Sequence, residues 1–360
     1  MNKHQPYDLK QLQSVPLEGK ILMTQARIQQ WYEHFYGQVY VSFSGGKDST
    51  VLKHIVDSMY NDVPAVFVNT GLEYPEIQKF VKDIKSGKFE CFNSNVEIIR
   101  PEIRFDEVIK KYGYPVFSKE VAAHIKYGRK AIEKGDKAKE QRHLYGERRN
   151  PKTGEVYHHM KLSKTALDVA LNSNIPVSGM CCSIMKKKPA KKFEKDTGRK
   201  PLIGTLASES KARQTVWEKH GCNAFEMSRP TSQPLSFWTN QDILHYLKIF
   251  NVPYCPVYGE IQVKPSEDTE KCQINLIDYL GCYGSEDVLQ TTGCDRTGCI
   301  FCMFGCHLEK EPNRFQKLKK THPRQYEYCI NGGEFVDGKW QPNKEGLGLG
   351  YVLDYIGVKY

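Results

Sequence analysis

Short apolar runs alternate with amphipathic segments over the first hundred residues of the chain. Val39 to Phe43, Ala65 to Asn69 and Val96 to Ile99 are rich in β-branched and aromatic residues, which is typical of buried strands. The segment after the first run has a helical period, with one apolar face made by Val51, Leu52, Ile55, Val56 and Met59. Strands that alternate with helices at this spacing predict an α/β fold with a doubly wound parallel sheet.

The pattern changes along the chain and predicts four parts. They are a helical lead-in (1–37), a sheet domain (38–254), a cysteine-rich region (255–330) and a tail that we expect to pack on the body (331–360). Inside the sheet domain the strand signal stops at about 101–174. Helices are predicted there over Phe105–Tyr112 and Lys119–Lys139, so this stretch is interpreted as a helical insertion.

The first apolar run leads directly into a segment that suits a phosphate group: Ser44, Gly45, Gly46, Lys47, Asp48, Ser49 and Thr50. Two glycines let the backbone turn sharply and leave no Cβ between its amides and a ligand. The N–H groups and the positive dipole end of the following helix favour an anion, and Lys47 adds a cation. Asn69, Thr70 and Gly71 end the second predicted strand. Because ligands bind at the carboxyl ends of parallel strands, we expect both loops to face one ligand.

This loop differs from the two common phosphate-binding motifs. The G-x-x-x-x-G-K-[ST] motif places a hydroxyl residue where Asp48 stands, and the G-x-G-x-x-G motif does not fit either. Ser44 to Ser49 instead resembles the pyrophosphate loop of the N-type ATP pyrophosphatases. The resemblance implies a sheet like that of the adenine nucleotide α-hydrolases. It also implies that ATP is held by its β and γ phosphates and cleaved between α and β.

The composition is that of a soluble globular protein, with 39% hydrophobic and 26% charged residues. No run of 18 apolar residues exists, and residues 1–19 are polar. We therefore expect no membrane segment and a cytoplasmic location. Thiols stay reduced in that compartment, so the 12 cysteines indicate metal or cluster ligands and reactive thiols before disulfides.

The net charge of +10 is concentrated in two segments. Residues 126–149 carry nine Lys and Arg against four acids, and residues 186–200 carry eight against two. Such concentration favours a surface that binds a polyanion, with nucleic acid as the natural partner. Solvated helical faces are the alternative, and the sequence leaves both open.

The cysteines group into an adjacent pair, Cys181-Cys182, and a distant C-x4-C-x2-C-x3-C run. The run consists of Cys294, Cys299, Cys302 and Cys306. In a reduced compartment four thiolates suit either tetrahedral zinc or an iron–sulfur cluster. Structural zinc usually uses two paired knuckles, whereas only Cys299 and Cys302 form such a pair, and a lone C-x-x-C can also be a redox dithiol.

Several motifs follow one another over about residues 38–310 in an order that resembles the phosphoadenosine phosphosulfate (PAPS)/adenosine phosphosulfate (APS) reductase superfamily. They are Cys181-Cys182, a Lys-Lys-x-Pro stretch, Gly204 to Arg213, Gln233 to Ile243, Val252 to Pro256, and Gly298 to Cys302. The resemblance implies that Gly204, Ser210 and Arg213 contact the nucleotide.

In cluster-bearing members of that superfamily, a Cys-Cys pair and a distant C-x-x-C hold one [4Fe–4S] cluster. The resemblance therefore implies four ligands here, which are Cys181, Cys182, Cys299 and Cys302. Zinc is the alternative metal. Cys294 and Cys306 remain competitors, because the local run could close a site alone.

Two departures from the reductases shape the functional hypothesis. Those enzymes use a cysteine in a C-terminal Glu-Cys-Gly-x-His segment, which these 360 residues lack; Cys329 lies in a different context. Reductases also tend to lose the full pyrophosphate loop, which this chain keeps. A third departure, Leu206 in place of an arginine common among relatives, leaves Arg213 to contact phosphate. The missing thiol segment and the retained loop together favour ATP activation over sulfonucleotide reduction.

The resulting hypothesis is an ATP- and Mg²⁺-dependent enzyme that adenylates an acceptor for sulfur incorporation. The catalytic residues would be Lys47, Asp48 and Ser49. The acceptor would be nucleic acid, held by the basic segments, with sulfur supplied by a cluster, a reactive cysteine or a partner protein. Among relatives this combination most resembles the Dnd-type ATP pyrophosphatases of DNA phosphorothioation, and tRNA thiolation is a close variant.

Three alternatives stay open at this point. A reductase of APS or PAPS would need a catalytic thiol. A subunit of an ATP sulfurylase would share the loop but has no reason to carry the cysteines. A non-catalytic nucleotide-binding partner of a DNA-binding protein would release no pyrophosphate.

Overall fold

A computed structural model describes residues 3–150, 152–264 and 288–360. The chain forms two compact units. The first unit comprises residues 1–69, 73–99 and 190–297, and the second comprises 70–72, 100–189 and 298–360. Each unit is therefore assembled from three separate stretches of the chain. The hydrophobic pattern of the sequence does not predict this division.

The described residues form the following strands and helices. The strands are β1 (Val39–Phe43), β2 (Ala65–Val68), β3 (Val96–Ile99), β4 (Val116–Phe117), β5 (Glu147–Arg149), β6 (Val156–His158), β7 (Lys200–Ile203), β8 (Asn223–Ala224), β9 (Thr231–Ser232), β10 (Ile261–Val263), β11 (Leu289–Thr291), β12 (Met303–Phe304), β13 (Glu334–Val336) and β14 (Lys339–Gln341). The helices are α1 (Pro6–Gln13), α2 (Leu17–His34), α3 (Lys47–Met59), α4 (Pro75–Lys85), α5 (Phe105–Tyr112), α6 (Lys119–Glu133), α7 (Lys137–Glu140), α8 (Lys164–Asn172), α9 (Lys188–Thr197), α10 (Lys211–His220), α11 (Asn240–Ile249), α12 (Arg314–Thr321), α13 (Pro323–Ile330) and α14 (Leu349–Tyr355).

The first unit is built on a six-stranded sheet in the order β3-β2-β1-β7-β9-β8. All neighbours pair in parallel except β8 and β9. The chain leaves β1 toward β2 and β3 on one side and later returns to β7 on the other. The strand order thus reverses between β1 and β7, and such switch points leave a crevice at the carboxyl ends of the strands.

The side chains of β1 and β2 alternate between two hydrophobic layers. Val39, Val41 and Phe43 belong to the large cluster that includes apolar residues of α2, α3, α4 and α11. Tyr40 and Val66 face a smaller cluster with Phe193 of α9. Strands that are apolar on both faces and covered by helices on both sides define a doubly wound α/β sheet, so the predicted fold class is confirmed.

The predicted elements of the first hundred residues agree with the structure to within a few residues. The predicted helical lead-in is α1 and α2, and its Trp31 is fully buried in the large cluster. In the second unit, the helix predicted over Phe105–Tyr112 is α5, and the one predicted over Lys119–Lys139 divides into α6 and α7.

The prediction that strands are absent from 101–174 is wrong. β4 lies there and pairs in parallel with β12, and β5 and β6 form an antiparallel hairpin. β4 has two residues, and the hairpin strands are exposed on both faces. Neither therefore has the apolar run or the alternation by which a strand is recognised from sequence.

The tail, residues 331–360, is part of the second unit and packs on its other segments. Tyr114 donates its hydroxyl to the Leu347 carbonyl over 2.8 Å, and the Trp340 amide donates to the Asn174 carbonyl over 3.0 Å. Leu349, Val352 and Leu353 of α14 are buried. In the part of the chain that the structure describes, no helix combines the length and the apolarity needed to cross a membrane.

Stability of the first unit should depend on a buried ion pair between α2 and α11. The Lys20 ammonium lies 2.8 Å from each carboxylate oxygen of Asp242, and Lys20 is only 3% exposed. Lys20→Met leaves the carboxylate buried without its cation, so we expect a loss of about 3–5 kcal/mol in the free energy of unfolding, measured by urea titration.

The matched control is Lys88→Met, which removes an ion pair with Asp83 whose lysine is 55% exposed. It should change the free energy by about 1 kcal/mol or less. Equal effects of the two substitutions would contradict a structural role for the Lys20 pair.

Candidate functional site

The segment after β1 makes the sharp turn that its two glycines predict. Gly45 has φ +70°, in the left-handed region, and Gly46 is the N-cap of α3. A Cβ on Gly45 would lie 2.9 Å from a methyl group of Ile77. The turn therefore places the N-terminus of α3 directly after β1, where its amides can bind an anion.

Two further glycine positions allow close approach of neighbouring segments. A Cβ on Gly204, just after β7, would lie 2.9 Å from the Asp48 carbonyl oxygen. A Cβ on Gly46 would lie 3.2 Å from the hydroxyls of Tyr258 and Thr297. The predicted importance of Gly204 thus has a steric basis, because the backbone after β7 packs on the first turn of α3.

The loop hydroxyls hold the turn itself together. Ser49 Oγ accepts from the Ser44 amide over 3.2 Å and donates to the Gly46 carbonyl over 2.9 Å. Ser44 Oγ lies 2.9 Å from Ser49 Oγ, and Thr50 Oγ1 donates to the Gly46 carbonyl over 3.0 Å. These bonds fix the loop before any ligand arrives.

The Lys47 side chain is buried, with 5% of the residue exposed. Its ammonium donates to the Asp295 carbonyl over 2.9 Å, and its backbone amide donates to the Tyr258 hydroxyl over 3.2 Å. Burial lowers the pKa of Lys47, and Arg296 lowers it further, while the carboxylates of Asp48 and Asp295 oppose the shift.

Asp48 is half-buried, and its carboxylate lies in the same part of the site with Oδ1 buried. Its Oδ1 has no hydrogen-bond partner among the residues that the structure describes. Burial raises the pKa of Asp48, while Lys47, Arg296 and Arg213 lower it. Its unpartnered oxygen makes the Asp48 carboxylate a candidate ligand for a hard cation such as Mg²⁺.

Glu209 joins the two arginines near this carboxylate. Its carboxylate forms ion pairs with Arg213 and with Arg296, and it is the residue of the three with the smallest exposed fraction, 14%. The Leu206 amide also donates to Glu209 Oε2 over 3.3 Å. Ser210, predicted to contact the nucleotide, caps α10 by accepting from the Arg213 amide over 3.3 Å.

These groups line a cleft of about 360 Å³ in the first unit. Its walls are Lys47, Asp48, Leu206, Ser208, Glu209, Asn240, Leu244, Leu289, Gln290, Thr291, Asp295 and Arg296. The cleft lies after the carboxyl ends of β1 and β7, where the strand order reverses, and its volume suits a small molecule. Leu206, which replaces an arginine common among relatives, makes part of its apolar wall.

The second predicted loop is divided between the units. Asn69 belongs to the first and donates its amide to the Ile99 carbonyl over 2.8 Å. Thr70 and Gly71 belong to the second, where Thr70 Oγ1 accepts from the Leu72 amide over 3.2 Å. Their joint contact with a nucleotide stays a prediction.

The four cysteines of the predicted ligand set all belong to the second unit. Burial raises the pKa of the Cys181 thiol, and the negative charges of Cys299, Cys182 and Cys302 raise it further. The pKa of Cys302 is likewise raised, chiefly by burial, with Cys182 contributing. The other three cysteines are therefore close enough to Cys181 for their charges to raise its pKa.

The competing cysteines lie in other surroundings. Burial raises the pKa of Cys306 to about 12, with Arg314 opposing the shift. Cys294 belongs to the first unit, and its amide donates to the Val257 carbonyl over 3.0 Å. Over the described ranges, no three His, Cys, Asp or Glu side chains are placed so that they could hold a metal ion.

The basic segment 126–149 is only partly available to a ligand. The half-buried Arg129 donates to the carbonyls of Ala170, Ile175 and Ser173 over 2.9, 2.6 and 2.9 Å, which fixes the C-terminus of α8. Lys137 pairs with Glu140 of the same helix, α7, and Lys139 pairs with Asp136, the N-cap of that helix. The exposed remainder is Lys126, Lys130, Lys134, Arg142, Arg148 and Arg149.

Several residues of the cleft were missed from the sequence. Glu209 stood inside the Gly204–Arg213 motif without an assigned role, and Asp295 and Arg296 stood between two cysteines. Tyr258 lies 211 residues from its partner Lys47. The available signal was a charged Asp-Arg pair inside the cysteine run. A local sequence pattern, however, cannot show that this pair lies beside the distant loop that contains Lys47.

The sheet and its cleft define an α/β protein with a cleft lined by charged residues at a topological switch point. The chain belongs to the phosphoadenosine phosphosulfate reductase domain family, which it matches over residues 38–161 and 158–303. Adenosine 5′-phosphosulfate reductase 2 of Bacillus subtilis is 21% identical over 255 residues, which are 70% of this chain and 80% of that protein.

Other similarities cover less. Two uncharacterised proteins of Methanocaldococcus jannaschii are 38% and 31% identical over 90 and 91 residues, and the aligned part spans 18% and 21% of their lengths. A phosphoadenylyl-sulfate reductase structure from Candida auris, in a phosphate complex, has 15% identity and a TM-score of 0.36. That match covers 65% of this chain and 82% of that one.

Asp48→Asn should stabilise the ligand-free protein, because it removes the negative charge of a carboxylate whose pKa is raised by burial. Removing that charge should raise the free energy of unfolding at pH 7 by about 1–2 kcal/mol. Thermal unfolding measures the change. Asp196→Asn, at an exposed carboxylate, is the control and should change little.

The pH dependence gives a second readout. Because the folded pKa of Asp48 is raised above 3.8, the folded state holds its proton more strongly than the unfolded state. Its charging therefore lowers stability as pH rises from 3.8 through the folded pKa. Asp48→Asn should abolish that part of the decline, and an unchanged pH profile would contradict the burial argument.

Proposed function

We propose that the protein activates an acceptor with ATP by cleaving between the α and β phosphates and releasing pyrophosphate. The observation that carries this proposal is the cleft itself. The intact loop, the N-terminus of α3 and three cations, Lys47, Arg213 and Arg296, surround a carboxylate with an unpartnered, buried oxygen. A polyphosphate would bind the three cations, and its metal ion would bind the carboxylate.

In the proposed reaction, an oxygen of the acceptor attacks the α phosphorus and forms a new P–O bond. The bond from the α phosphorus to the bridging oxygen breaks, and pyrophosphate takes the electron pair. The loop amides and Lys47 would hold the β and γ phosphates, and Asp48 would hold Mg²⁺, which when bound would offset the charge of the leaving group. The contribution of the protein is positioning and electrostatic stabilisation. Asn69, Thr70 and Gly71 would contact adenine.

The second unit would supply a [4Fe–4S] cluster, held by Cys181, Cys182, Cys299 and Cys302. The other three cysteines all raise the pKa of Cys181, and thiols that act on one another in this way have the donor chemistry of such a site, because bound iron would coordinate their thiolates. Zinc is the alternative for the same donors. A cluster can supply or transfer sulfur or electrons.

Reductase chemistry is the second candidate, and the similarity to an APS reductase over 70% of the chain favours it. In a reductase a thiol must attack the sulfur of the sulfonucleotide. Cys329, the cysteine nearest the C-terminus, lies in α13, is fully buried and has a pKa raised well above its ordinary value by burial. A buried protonated thiol is a poor nucleophile, which supports ATP activation instead.

The acceptor would be nucleic acid, DNA or tRNA, and a partner protein or the cluster would deliver sulfur, as in Dnd-type enzymes. The support is the exposed part of the basic segment 126–149 together with the lysines of 186–200. Phosphate contacts by lysine and arginine dominate such binding and make it dependent on salt.

Lys47→Met should abolish pyrophosphate release from ATP and Mg²⁺. The substitution removes the buried cation that would contact the leaving group, and a loss of about 100-fold or more is expected. The assay would run with DNA, RNA, sulfate or no acceptor. Lys82→Met, on the exposed face of α4, is the control and should leave release unchanged.

The same preparations would be given APS or PAPS with a thiol donor. Sulfite release by the wild-type chain, without pyrophosphate release from ATP, would reject the proposal in favour of the reductase. Release of neither product would favour a non-catalytic nucleotide-binding partner.

Anaerobically purified protein should be brown and contain iron, with the broad visible absorption of an iron–sulfur cluster. Cys181→Ser should lose the iron, whereas Cys306→Ser should keep it, since Cys306 lies outside the proposed ligand set. Colourless protein with stoichiometric zinc would reject the cluster. Equal loss of metal in both variants would reject the ligand assignment.

A further inference from the structure

The segment from Gly293 to Thr297 is fixed to the loop on both sides of Arg296. The Asp295 carbonyl accepts from the Lys47 ammonium over 2.9 Å. The Thr297 hydroxyl lies 2.7 Å from the Tyr258 hydroxyl, which in turn accepts from the Lys47 amide. Arg296 stands between these two anchors, so its Cα cannot move far while the loop keeps its shape.

The base of this segment is also held by backbone bonds. The amides of Gly293 and Cys294 donate to the carbonyls of Tyr258 and Val257 over 2.8 and 3.0 Å. The Arg296 side chain, by contrast, is 63% exposed and ends in an ion pair with Glu209 at the cleft wall. A rigid backbone thus presents a guanidinium whose donors reach the open side of the cleft.

Glu209 orients two guanidinium groups at once. It binds Arg213 through Oε2 and Arg296 through Oε1, while the Leu206 amide helps to fix the carboxylate. Each guanidinium has five N–H donors and uses only part of them on Glu209, so each keeps donors for a second anion. A pair of arginines held in one orientation suits a phosphate, which accepts bidentate bonds.

From this arrangement we propose that Arg296 is a second phosphate-binding arginine, which Glu209 positions to bind a nucleotide phosphate beyond the α position. The inference rests on nucleotide binding in the cleft, and it adds a specificity-determining residue to the proposed function. Arg296 approaches the phosphate chain from the cleft wall, with Arg213 bound beside it on Glu209, while Lys47 and the amides of α3 approach it from the loop. The ligand class is a nucleoside di- or triphosphate, in preference to a monophosphate.

The test is calorimetric binding of α,β-methylene-ATP, ADP and AMP, each with Mg²⁺, to the full chain. Arg296→Ala should weaken binding of the triphosphate analogue about 10- to 100-fold, as expected for a lost charge-assisted hydrogen bond, and should change AMP binding about 3-fold or less. Arg296→Lys should restore part of the loss, because it keeps the charge without the bidentate geometry. Arg324→Ala, at an exposed arginine of α13, is the control.

Glu209→Gln tests the positioning role. It should weaken triphosphate binding, and Arg296→Ala should have a smaller effect in that background than in the wild type, which is the coupling expected of residues that act as a unit. Thermal unfolding of each variant separates this result from a general loss of structure.

Equal losses for AMP and the triphosphate analogue, or no loss for either, would overturn the role of Arg296. So would failure of the wild-type chain to bind any triphosphate. The expected losses without pyrophosphate release in the enzymatic assay would keep this inference and reject the proposed reaction, so the two failures are distinguishable.

Discussion

The close packing of backbone on backbone at the carboxyl ends of β1 and β7 is the constraint on which the site depends. Gly204 leaves room for the Asp48 carbonyl, and Gly46 leaves room for the hydroxyls of Tyr258 and Thr297. A Cβ on Gly204 would collide with that carbonyl, and a Cβ on Gly46 would crowd the two hydroxyls. The absence of side chains at Gly46 and Gly204 lets three features lie close together. They are the amides of α3, the Lys47 ammonium and the segment that carries Arg296.

Much of this arrangement was predictable from the sequence because it is local. The loop from Ser44 to Thr50 joins a strand to a helix, and the strand and helix periods on its two sides identify it. The parallel, doubly wound sheet follows from the alternation of strands and helices, whereas the order of its strands was not predicted. The predicted cysteine set came from a family resemblance, and the charges that act on Cys181 come from the other three members of that set.

The remainder was not predictable because it depends on contacts between distant segments. Asp295 lies 248 residues from Lys47 in the sequence, and the residues around neither one indicate that the two are in contact. The β5–β6 hairpin was missed for a different reason: its strands bury nothing, so they leave no hydrophobic period. Arg129 was counted as part of a polyanion surface, yet its guanidinium serves the C-terminus of a neighbouring helix, a role that charge counting cannot detect.

The contacts of Lys47 and of the two arginines have a consequence for selectivity. In the described structure the cations of the cleft already bind oxygens of the protein: the Asp295 carbonyl and the Glu209 carboxylate. An incoming anion therefore gains only the difference between its own bonds and those it displaces or shares. A singly charged ion gains little from this exchange, whereas a polyphosphate with several charges gains at each cation. The cleft thus discriminates by the number of charges on its ligand, and small monovalent ions should compete poorly for it.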